Sequence, residues 1–262
     1  MLAPLLATAL AGAARWRNAL SPSGAAGAAA VGTAIFGAGG LRASALLLLF
    51  FGSSTALSRL SGAITSCAGQ AGPERTLAQV LANGALPAIL AVCDHVRPSP
   101  RVAAAYAGAL AAANADTWAT EIGALSAVAP RLITSGRRVQ RGVSGAVTPL
   151  GTLASLAGAL VVGAGHAALT GRPAATQRLG VAGLAGSLAD SVLGATLQAV
   201  YVCQRCGQCT EDRRHAHGTD APALTLVRGL PLMTNDTVNL CASLVGALVA
   251  YVAASRDHER RV

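Results

Sequence analysis

The sequence predicts an all-α protein, a polytopic integral membrane helix bundle with about seven or eight transmembrane helices. Of its 262 residues 53% are hydrophobic and only 12% are charged, whereas soluble domains carry about 25% charged residues. The mean hydropathy is +0.51, and long apolar runs recur along the chain, which indicates several spans. We expect one transmembrane helical domain over residues 1–262, with a polar Cys/His loop at 203–234.

Eight apolar segments are predicted to form the helices. They are residues 2–14, two short helices divided at 39–42 of which the second covers about 43–51, residues 76–93, a helix that starts at 102 and carries 114–123, a span that follows 143–151 and ends near 170, residues 179–202, and residues 236–255. Residues 59–75 are predicted to form a loop. The many Gly and Ala residues would let helices pack closely, although a GC-rich genome would produce the same bias, and the absence of lysine fits that alternative.

The arginines predict the orientation of the chain. The net charge is +9, but the arginines occur in ones and twos without neighbouring aromatic residues, which argues against nucleic acid as a partner. The loops after odd-numbered helices hold twelve arginines, and the other loops with the C-terminal tail hold eight. The positive-inside rule therefore places the odd-numbered loops in the cytoplasm. Because the polar motifs lie on that side, we expect an active site that faces the cytoplasm from the cell membrane.

A polar stretch at residues 114–123 interrupts this apolar pattern. Carboxylates at membrane depth are costly, so Asp116 and Glu121 are candidate functional groups, with Asn114 and Thr117 as candidate ligand contacts. On a helix the two carboxylates lie about 140° apart, so either the helix breaks here or the two have separate roles. The alternative is a polar helix end at the membrane interface, with Trp118 in the aromatic belt.

Asp190 lies near the middle of a long apolar run. Gly183, Ser187, Gly194 and Gln198 share its helix face, so this small, polar stripe is expected to point into the bundle. A structural aspartate that is bonded to neighbouring hydroxyls is the alternative.

The last predicted helix opens with Asn235 and Asp236. Asn239 continues the same polar surface, so these three residues are candidates for nucleotide or metal contacts. An Asn or Asp that simply caps the helix is the alternative.

The segment 144–151 is expected to begin a helix. Free backbone N–H groups and the helix dipole make such a start a phosphate site, so Ser144 and Thr148 are candidate phosphate ligands together with Arg141. Ser, Gly and Pro also begin helices without binding anything, which is the alternative.

The predicted polar loop carries a second motif of metal-ligand type. Cys203, Cys206 and Cys209 are followed by His215 and His217, and this spacing resembles that of structural Zn²⁺ sites. Reduced thiols and solvated histidines are the alternative.

The carboxylates and the predicted anion site together suggest phosphoryl transfer. Carboxylates hold Mg²⁺ together with substrate phosphates, and catalysis of phosphoryl transfer consists mainly of positioning and charge neutralisation. A P-loop kinase is excluded, since the chain has no lysine.

Several segments carry a resemblance to a known family. The segments are residues 50–58, 79–84, 115–123, 130–134, 145–151, 186–198 and 235–239. The chain resembles the integral membrane proteins that include transmembrane protein nineteen of animals and the phytyl-phosphate kinase of plants and cyanobacteria. His217 stands where bacterial members of that family tend to have a cysteine.

The resemblance implies a kinase that converts a prenyl monophosphate to the diphosphate, with a nucleoside triphosphate such as CTP and with Mg²⁺. Asp116 and Asp190 would hold Mg²⁺ or position the reacting phosphates, Asp236 with Asn235 would extend the metal or nucleotide site, and Glu121 would orient a ligand or a water. These four acidic residues are the candidate catalytic residues. An ion-coupled transporter of a small or lipid-like solute is the alternative from another class. A packing protein whose carboxylates join helices is a third.

Overall fold

The structure, a computed structural model, describes residues 2–65, 74–211 and 224–259. Within these ranges the chain is mostly helical, which confirms the predicted membrane bundle. The helices are α1 (Leu2–Trp16), α2 (Pro22–Ala38), α3 (Gly40–Thr65), α4 (Leu77–Val96), α5 (Pro100–Gly123), α6 (Pro149–Thr170), α7 (Ala175–Thr196) and α8 (Asn235–Glu259). A hairpin of β1 (Arg131–Leu132) and β2 (Ala146–Val147) joins α5 to α6, and an antiparallel sheet of β3 (Val200–Cys203), β4 (Cys209–Thr210) and β5 (Leu224–Arg228) lies between α7 and α8.

The helix α5 is the centre of the bundle. Five described helices, α3, α4, α6, α7 and α8, are long and apolar enough to cross a membrane. By contrast α5 packs against α3, α4, α6, α7 and α8, and every residue from 105 to 115 is buried. Because protein rather than lipid surrounds it, α5 can carry polar groups such as Asp116 and Glu121.

Small residues bring α5 close to its neighbours. A Cβ atom added to Gly108 would lie 2.5 Å from the Cβ of Ala250, and one added to Gly183 would lie 2.8 Å from the carbonyl oxygen of Ala111. Side chains larger than hydrogen would push α8 and α7 away from α5. Packing therefore accounts for the glycines at these contacts, whatever the base composition of the genome.

The helix boundaries follow local capping chemistry. Ser21 and Thr148 accept hydrogen bonds of 3.0 Å from Gly24 N and Gly151 N at the starts of α2 and α6, as N-caps do. The predicted division after α2 is confirmed, because Gly40 has a φ of +62°, a conformation that favours glycine.

Two predicted boundaries are wrong. The helix α3 continues through residues 52–55 and ends at Thr65, so residues 59–65 are helical and not part of a loop, whereas residues 66–73 of the predicted loop lie outside the described residues. The helix predicted to reach residue 202 ends at Thr196, and the next apolar residues form β3, whose Tyr201 pairs with Thr210 and Leu226. Hydrophobicity alone does not separate a buried strand from the end of a helix.

Candidate functional site

A cleft of about 870 Å³ opens at one end of the bundle. Its wall consists of the C-terminal ends of α3, α5 and α7, the N-terminal ends of α4, α6 and α8, and the β1–β2 hairpin. This is the end at which the odd-numbered loops lie. The cleft gathers most of the predicted site residues: Asp116, Thr117, Glu121, Arg141, Ser144, Thr148, Asp190, Asn235 and Asn239.

Asp116 and Asp190 reach the cleft from adjacent helices. The helices α5 and α7 pack closely, with Gly186 against Ala112, and the two carboxylates interact electrostatically. Asp190 Oδ2 is buried and has no hydrogen-bond partner among the described residues. Two negative charges in such surroundings repel each other unless a cation or a proton lies between them. The pair is therefore suited to hold a cation.

Glu121 has a different environment from Asp116 on the same unbroken helix. Ser58 Oγ donates a 2.6 Å hydrogen bond to Glu121 Oε1, and Ser61 Oγ donates to Oε2. Both serines belong to α3. The two carboxylates of α5 thus have different contacts on one unbroken helix, and Glu121 joins α5 to α3 at the rim of the cleft.

Arg75 lines the cleft and was not among the sequence-predicted residues. Its guanidinium lies 5.9 Å from the centre of the Phe51 ring, and its backbone pairs with Ala19 and Ser21 at 3.1 and 3.0 Å. Burial lowers the pKa of Arg75, and the Glu121 carboxylate raises it. The residue lies just before the capped start of α4, and its backbone is held by residues distant in the sequence, which no local pattern predicts.

Three further arginines line the cleft: Arg17, Arg59 and Arg141. Arg59 donates a 2.9 Å hydrogen bond to the carbonyl oxygen of Arg17. Arg141 donates to the carbonyl oxygens of Ala124, at 2.8 Å, and Ser126, so it fastens the hairpin loop to the end of α5. With Arg75 the described wall holds four arginines, and it also holds four carboxylates, those of Asp116, Glu121, Asp190 and Glu211. The cleft therefore has the negative groups that bind a metal ion and the positive groups that bind a phosphate.

The hairpin loop is fixed over α7 rather than open to an anion. Gly145 has a φ of +80°, and a Cβ there would lie 2.5 Å from the Cβ of Ala195. Gln198 Nε2 donates to Ser144 Oγ at 3.0 Å and to Glu211 Oε2 at 2.6 Å. Thr148 Oγ1 already accepts the N–H of Gly151, and proline at residue 149 has no N–H to offer. The predicted phosphate cradle at the start of α6 is thus largely used for capping.

Asn114 is a structural crosslink rather than a ligand contact. It is fully buried and does not line the cleft. Its Oδ1 accepts hydrogen bonds from Ser53 and Ser54, at 2.9 and 3.1 Å, and its Nδ2 donates to Gly158 O at 2.8 Å. These bonds join α5 to α3 and α6, so the predicted substrate contact is corrected to a packing role.

Asp236 lies outside the cleft wall, whereas Asn235 and Asn239 belong to it. Thr234 caps α8, because its hydroxyl accepts from Thr237 N at 3.3 Å and its carbonyl accepts from Val238 N at 3.0 Å. Neither the predicted Asn or Asp cap nor a catalytic role for Asp236 is supported by this geometry.

Of the residues predicted to bind zinc, only the three cysteines are described, so the zinc site stays a prediction. Cys203 is buried, whereas Cys206 and Cys209 are exposed, and no group of three or more potential ligand side chains occurs in the described ranges. The backbone N–H of Cys206 lowers the pKa of the Cys203 thiol. His215 and His217 lie outside the described residues.

A bundle of apolar helices with a charged cleft at one end defines a multi-pass integral membrane protein. The chain belongs to the family of integral membrane proteins described as DUF92, which it matches over residues 5–247. It is 31% identical to Protein PGR of Arabidopsis thaliana over 244 residues, 82% of each chain. It is 32% identical to an uncharacterized membrane protein of Methanocaldococcus jannaschii over 175 residues, 67% of this chain and 60% of that protein. No solved structure gives a significant match. The membrane family predicted from the motifs is confirmed.

Proposed function

We propose that the cleft is the active site of a membrane kinase that transfers a phosphoryl group from a nucleoside triphosphate, such as CTP, to a prenyl monophosphate. The observation that carries the proposal is the acidic pair Asp116 and Asp190 in one cleft with four arginines. A soluble nucleotide can reach this end of the bundle, and a prenyl chain can remain in the surrounding bilayer. We further propose that this end faces the cytoplasm, as the arginine distribution indicates.

The residues present fit Mg²⁺. Mg²⁺ is bound in proteins by one or two carboxylates together with substrate phosphates, and Asp116 with Asp190 supplies such a pair. The unpartnered Oδ2 of Asp190 is the group that a cation would satisfy. When bound, the ion would neutralise negative charge on the phosphate oxygens.

The arginines would supply the remaining positive charge. Guanidinium groups bind phosphate through paired N–H donors. Among the described residues Arg75 donates no hydrogen bond from its guanidinium, whereas Arg141 already binds two carbonyl groups. Arg75 is therefore the better candidate to bind the phosphoryl group that is transferred. Arg141 is the better candidate to hold the loop in place.

The chemistry explains why no dedicated base is required. An oxygen of the prenyl monophosphate attacks the γ-phosphorus, and the bond from that phosphorus to the β–γ bridging oxygen breaks. The products are the prenyl diphosphate and the nucleoside diphosphate. The attacking oxygen is already ionised near neutral pH, so Glu121 can stay bonded to Ser58 and Ser61 and need not accept a proton.

The proposal is tested with purified protein in liposomes, a set of nucleoside triphosphates labelled at the γ-phosphate, and a set of prenyl monophosphates. We expect labelled prenyl diphosphate that depends on Mg²⁺ and that Asp116→Asn abolishes. Absence of transfer with every pair of substrates, from protein shown to be folded, would contradict the proposal.

A second cavity at the opposite end of the bundle favours the transporter as the rival function. Alternating access would use a cavity on each side. Between the two cavities, however, Gly108 and Gly183 hold α5 tightly against α8 and α7. Uptake of a prenyl phosphate into liposomes without nucleotide would favour the transporter over the kinase.

A further inference from the structure

Two hydroxyl groups in the cleft have no hydrogen-bond partner. Thr55 of α3 and Ser155 of α6 line the cleft, and the side-chain oxygen of each is buried and unpaired among the described residues. Ser155 is only 2% exposed. A buried hydroxyl without a partner is costly, so these two groups indicate that something else in the cleft binds them.

Other hydroxyl groups of the cleft wall form a bond that these two do not form. Thr117, Thr152 and Ser191 each donate to the carbonyl oxygen four residues earlier in the same helix, at 2.9, 3.1 and 3.2 Å. This bond is available to any serine or threonine within a helix. Because Thr55 and Ser155 do not form it, their hydroxyl groups are available to a ligand.

The helices α5, α6 and α7 meet just beneath the cleft. A Cβ atom added to Gly183 of α7 would lie 2.6 Å from the Cβ of Ala159 in α6 and 2.8 Å from the carbonyl oxygen of Ala111 in α5. Small residues thus close the bundle at this level, and the floor of the cleft lies one helical turn nearer its mouth. The residues of that next turn are Ala115, Ser155 and Ser187.

The acidic pair lies directly above this floor. Asp116 and Asp190 follow within one turn on α5 and α7. Thr55 approaches from α3, where the preceding residue, Ser54, donates to Asn114 of α5 at 3.1 Å. Three helices therefore bring unpaired oxygen atoms to one floor: Thr55 Oγ1, Ser155 Oγ and Asp190 Oδ2. None of these atoms bonds another, so one ligand bound among them would satisfy all three.

The chemistry of these oxygen atoms favours a cation over an anion. Two carboxylates repel a phosphate oxygen, whereas carboxylates and the hydroxyl groups of serine and threonine both bind Mg²⁺. Two carboxylates alone do not fill the octahedral ligand set of Mg²⁺, and among the described residues no third carboxylate, thiol or imidazole joins Asp116 and Asp190. Thr55 and Ser155 supply neutral oxygen ligands at the same place.

We propose that Thr55 and Ser155 complete, with Asp116 and Asp190, a site that binds a divalent cation such as Mg²⁺ in the absence of nucleotide. The inference rests on the proposed function for the choice of the acidic pair, and it adds two ligands and an order of binding. Four helices, α3, α5, α6 and α7, each supply one ligand. The nucleotide then binds to a cleft that already holds the cation.

The test uses the full chain purified in detergent, without nucleotide or prenyl phosphate. Bound Mn²⁺ is measured by electron paramagnetic resonance, with Mg²⁺ as the competitor. We expect Mn²⁺ binding that Mg²⁺ displaces and that Asp116→Asn abolishes. Ser155→Ala and Thr55→Val should each lower the affinity for Mn²⁺ by about tenfold or more, as substitutions around a bound metal do. The matched control is Ser243→Ala, because Ser243 is equally buried and unpaired but lies outside the cleft wall.

A change of metal preference distinguishes a ligand from a residue that only packs. Ser155→Cys places a thiol at the floor of the cleft, and thiolates prefer soft metals. Cd²⁺ should therefore displace Mn²⁺ from Ser155→Cys at a concentration lower by about tenfold or more than from Ser243→Cys. Both variants carry the same added thiol, so the other cysteines of the chain do not affect the comparison.

Three results would overturn the proposal: no Mn²⁺ binding without nucleotide, unchanged affinity in Ser155→Ala, or equal displacement by Cd²⁺ from the two cysteine variants. The first would show that the hydroxyl groups hold water and that the cation arrives with the nucleotide. If Ser155→Ala does not fold, Thr55→Val decides between the same outcomes. Phosphate transfer is measured on the same samples: transfer without prior Mn²⁺ binding contradicts this site alone, and Mn²⁺ binding without transfer contradicts the kinase alone.

Discussion

Ser58 of α3 donates a 2.6 Å hydrogen bond to Glu121 of α5. Ser61, one helical turn further on, donates to the second carboxylate oxygen. With both oxygens engaged, Glu121 is a fixed negative charge, and Arg75 lies close enough for that charge to act on it. The role that follows for Glu121 is to hold the α3–α5 contact and the Arg75 guanidinium in position at the rim of the cleft.

Glu121→Ala is expected to destabilise the protein and to weaken nucleotide binding. The substitution removes two hydrogen bonds to a charged group, each worth about 1.5–3 kcal/mol, and it removes the counter-charge of Arg75. Thermal unfolding in detergent and the KM for the nucleoside triphosphate are the measurements. The matched control is Glu74→Gln, which loses a half-exposed ion pair to Arg15 worth at most about 1 kcal/mol. Equal effects of the two substitutions would argue against a fixed role for Glu121.

Asp116→Asn and Asp190→Asn should each lower kcat by about 100-fold or more, as the loss of a group that stabilises transition-state charge does. The fold should persist, since removing one charge relieves repulsion between the two carboxylates. Labelled phosphate transfer and thermal unfolding are measured in parallel. Asp236→Asn, outside the cleft wall, is the control and should retain activity. Unfolding of Asp190→Asn would favour the packing role over the catalytic one.

Arg75→Gln is expected to raise the KM for the nucleoside triphosphate by about tenfold or more, because one charge-assisted contact to phosphate is lost. Arg75→Lys should recover part of the loss, since it restores the charge without the paired N–H donors. Steady-state kinetics of phosphate transfer provide the measurement. Arg15→Gln, an arginine outside the cleft wall, serves as control, and a KM that is unchanged in Arg75→Gln would exclude the proposed contact.

The sequence predicted the membrane bundle and much of the cleft because both leave local signals. Asp116 and Asp190 stand out as single carboxylates in apolar runs, and the apolar runs themselves mark the helices. Asn114 and Asp236 show the limit of such signals: a polar side chain that binds a ligand and one that does not look alike in sequence. Arg75 was missed because its position depends on pairing with residues 19–21, which no local pattern records.

Asn114→Ala should lower the free energy of unfolding by about 2–5 kcal/mol, because three interhelical hydrogen bonds of about 0.6–1.7 kcal/mol each are lost. Ser53, Ser54 and the carbonyl oxygen of Gly158 would lose their buried partner. Thermal or denaturant unfolding in detergent measures the effect, and activity per folded molecule should stay close to that of the unchanged protein. A large loss of activity without loss of stability would show that Asn114 contacts a ligand and does not only join helices.

Gly108→Ala is expected to destabilise the bundle by about 1–3 kcal/mol, the usual cost of overpacking. The added Cβ would lie 2.5 Å from both Ala250 Cβ and the carbonyl oxygen of Gly246, so α8 would have to move away from α5. The control is Gly52→Ala in α3, where no atom lies within 4 Å of the added Cβ. That substitution should leave stability unchanged or raise it by up to about 1 kcal/mol, because alanine favours the helix over glycine. Thermal unfolding of the two variants side by side measures the difference, and equal stability would show that α5 and α8 are not in the tight contact that separates the two cavities.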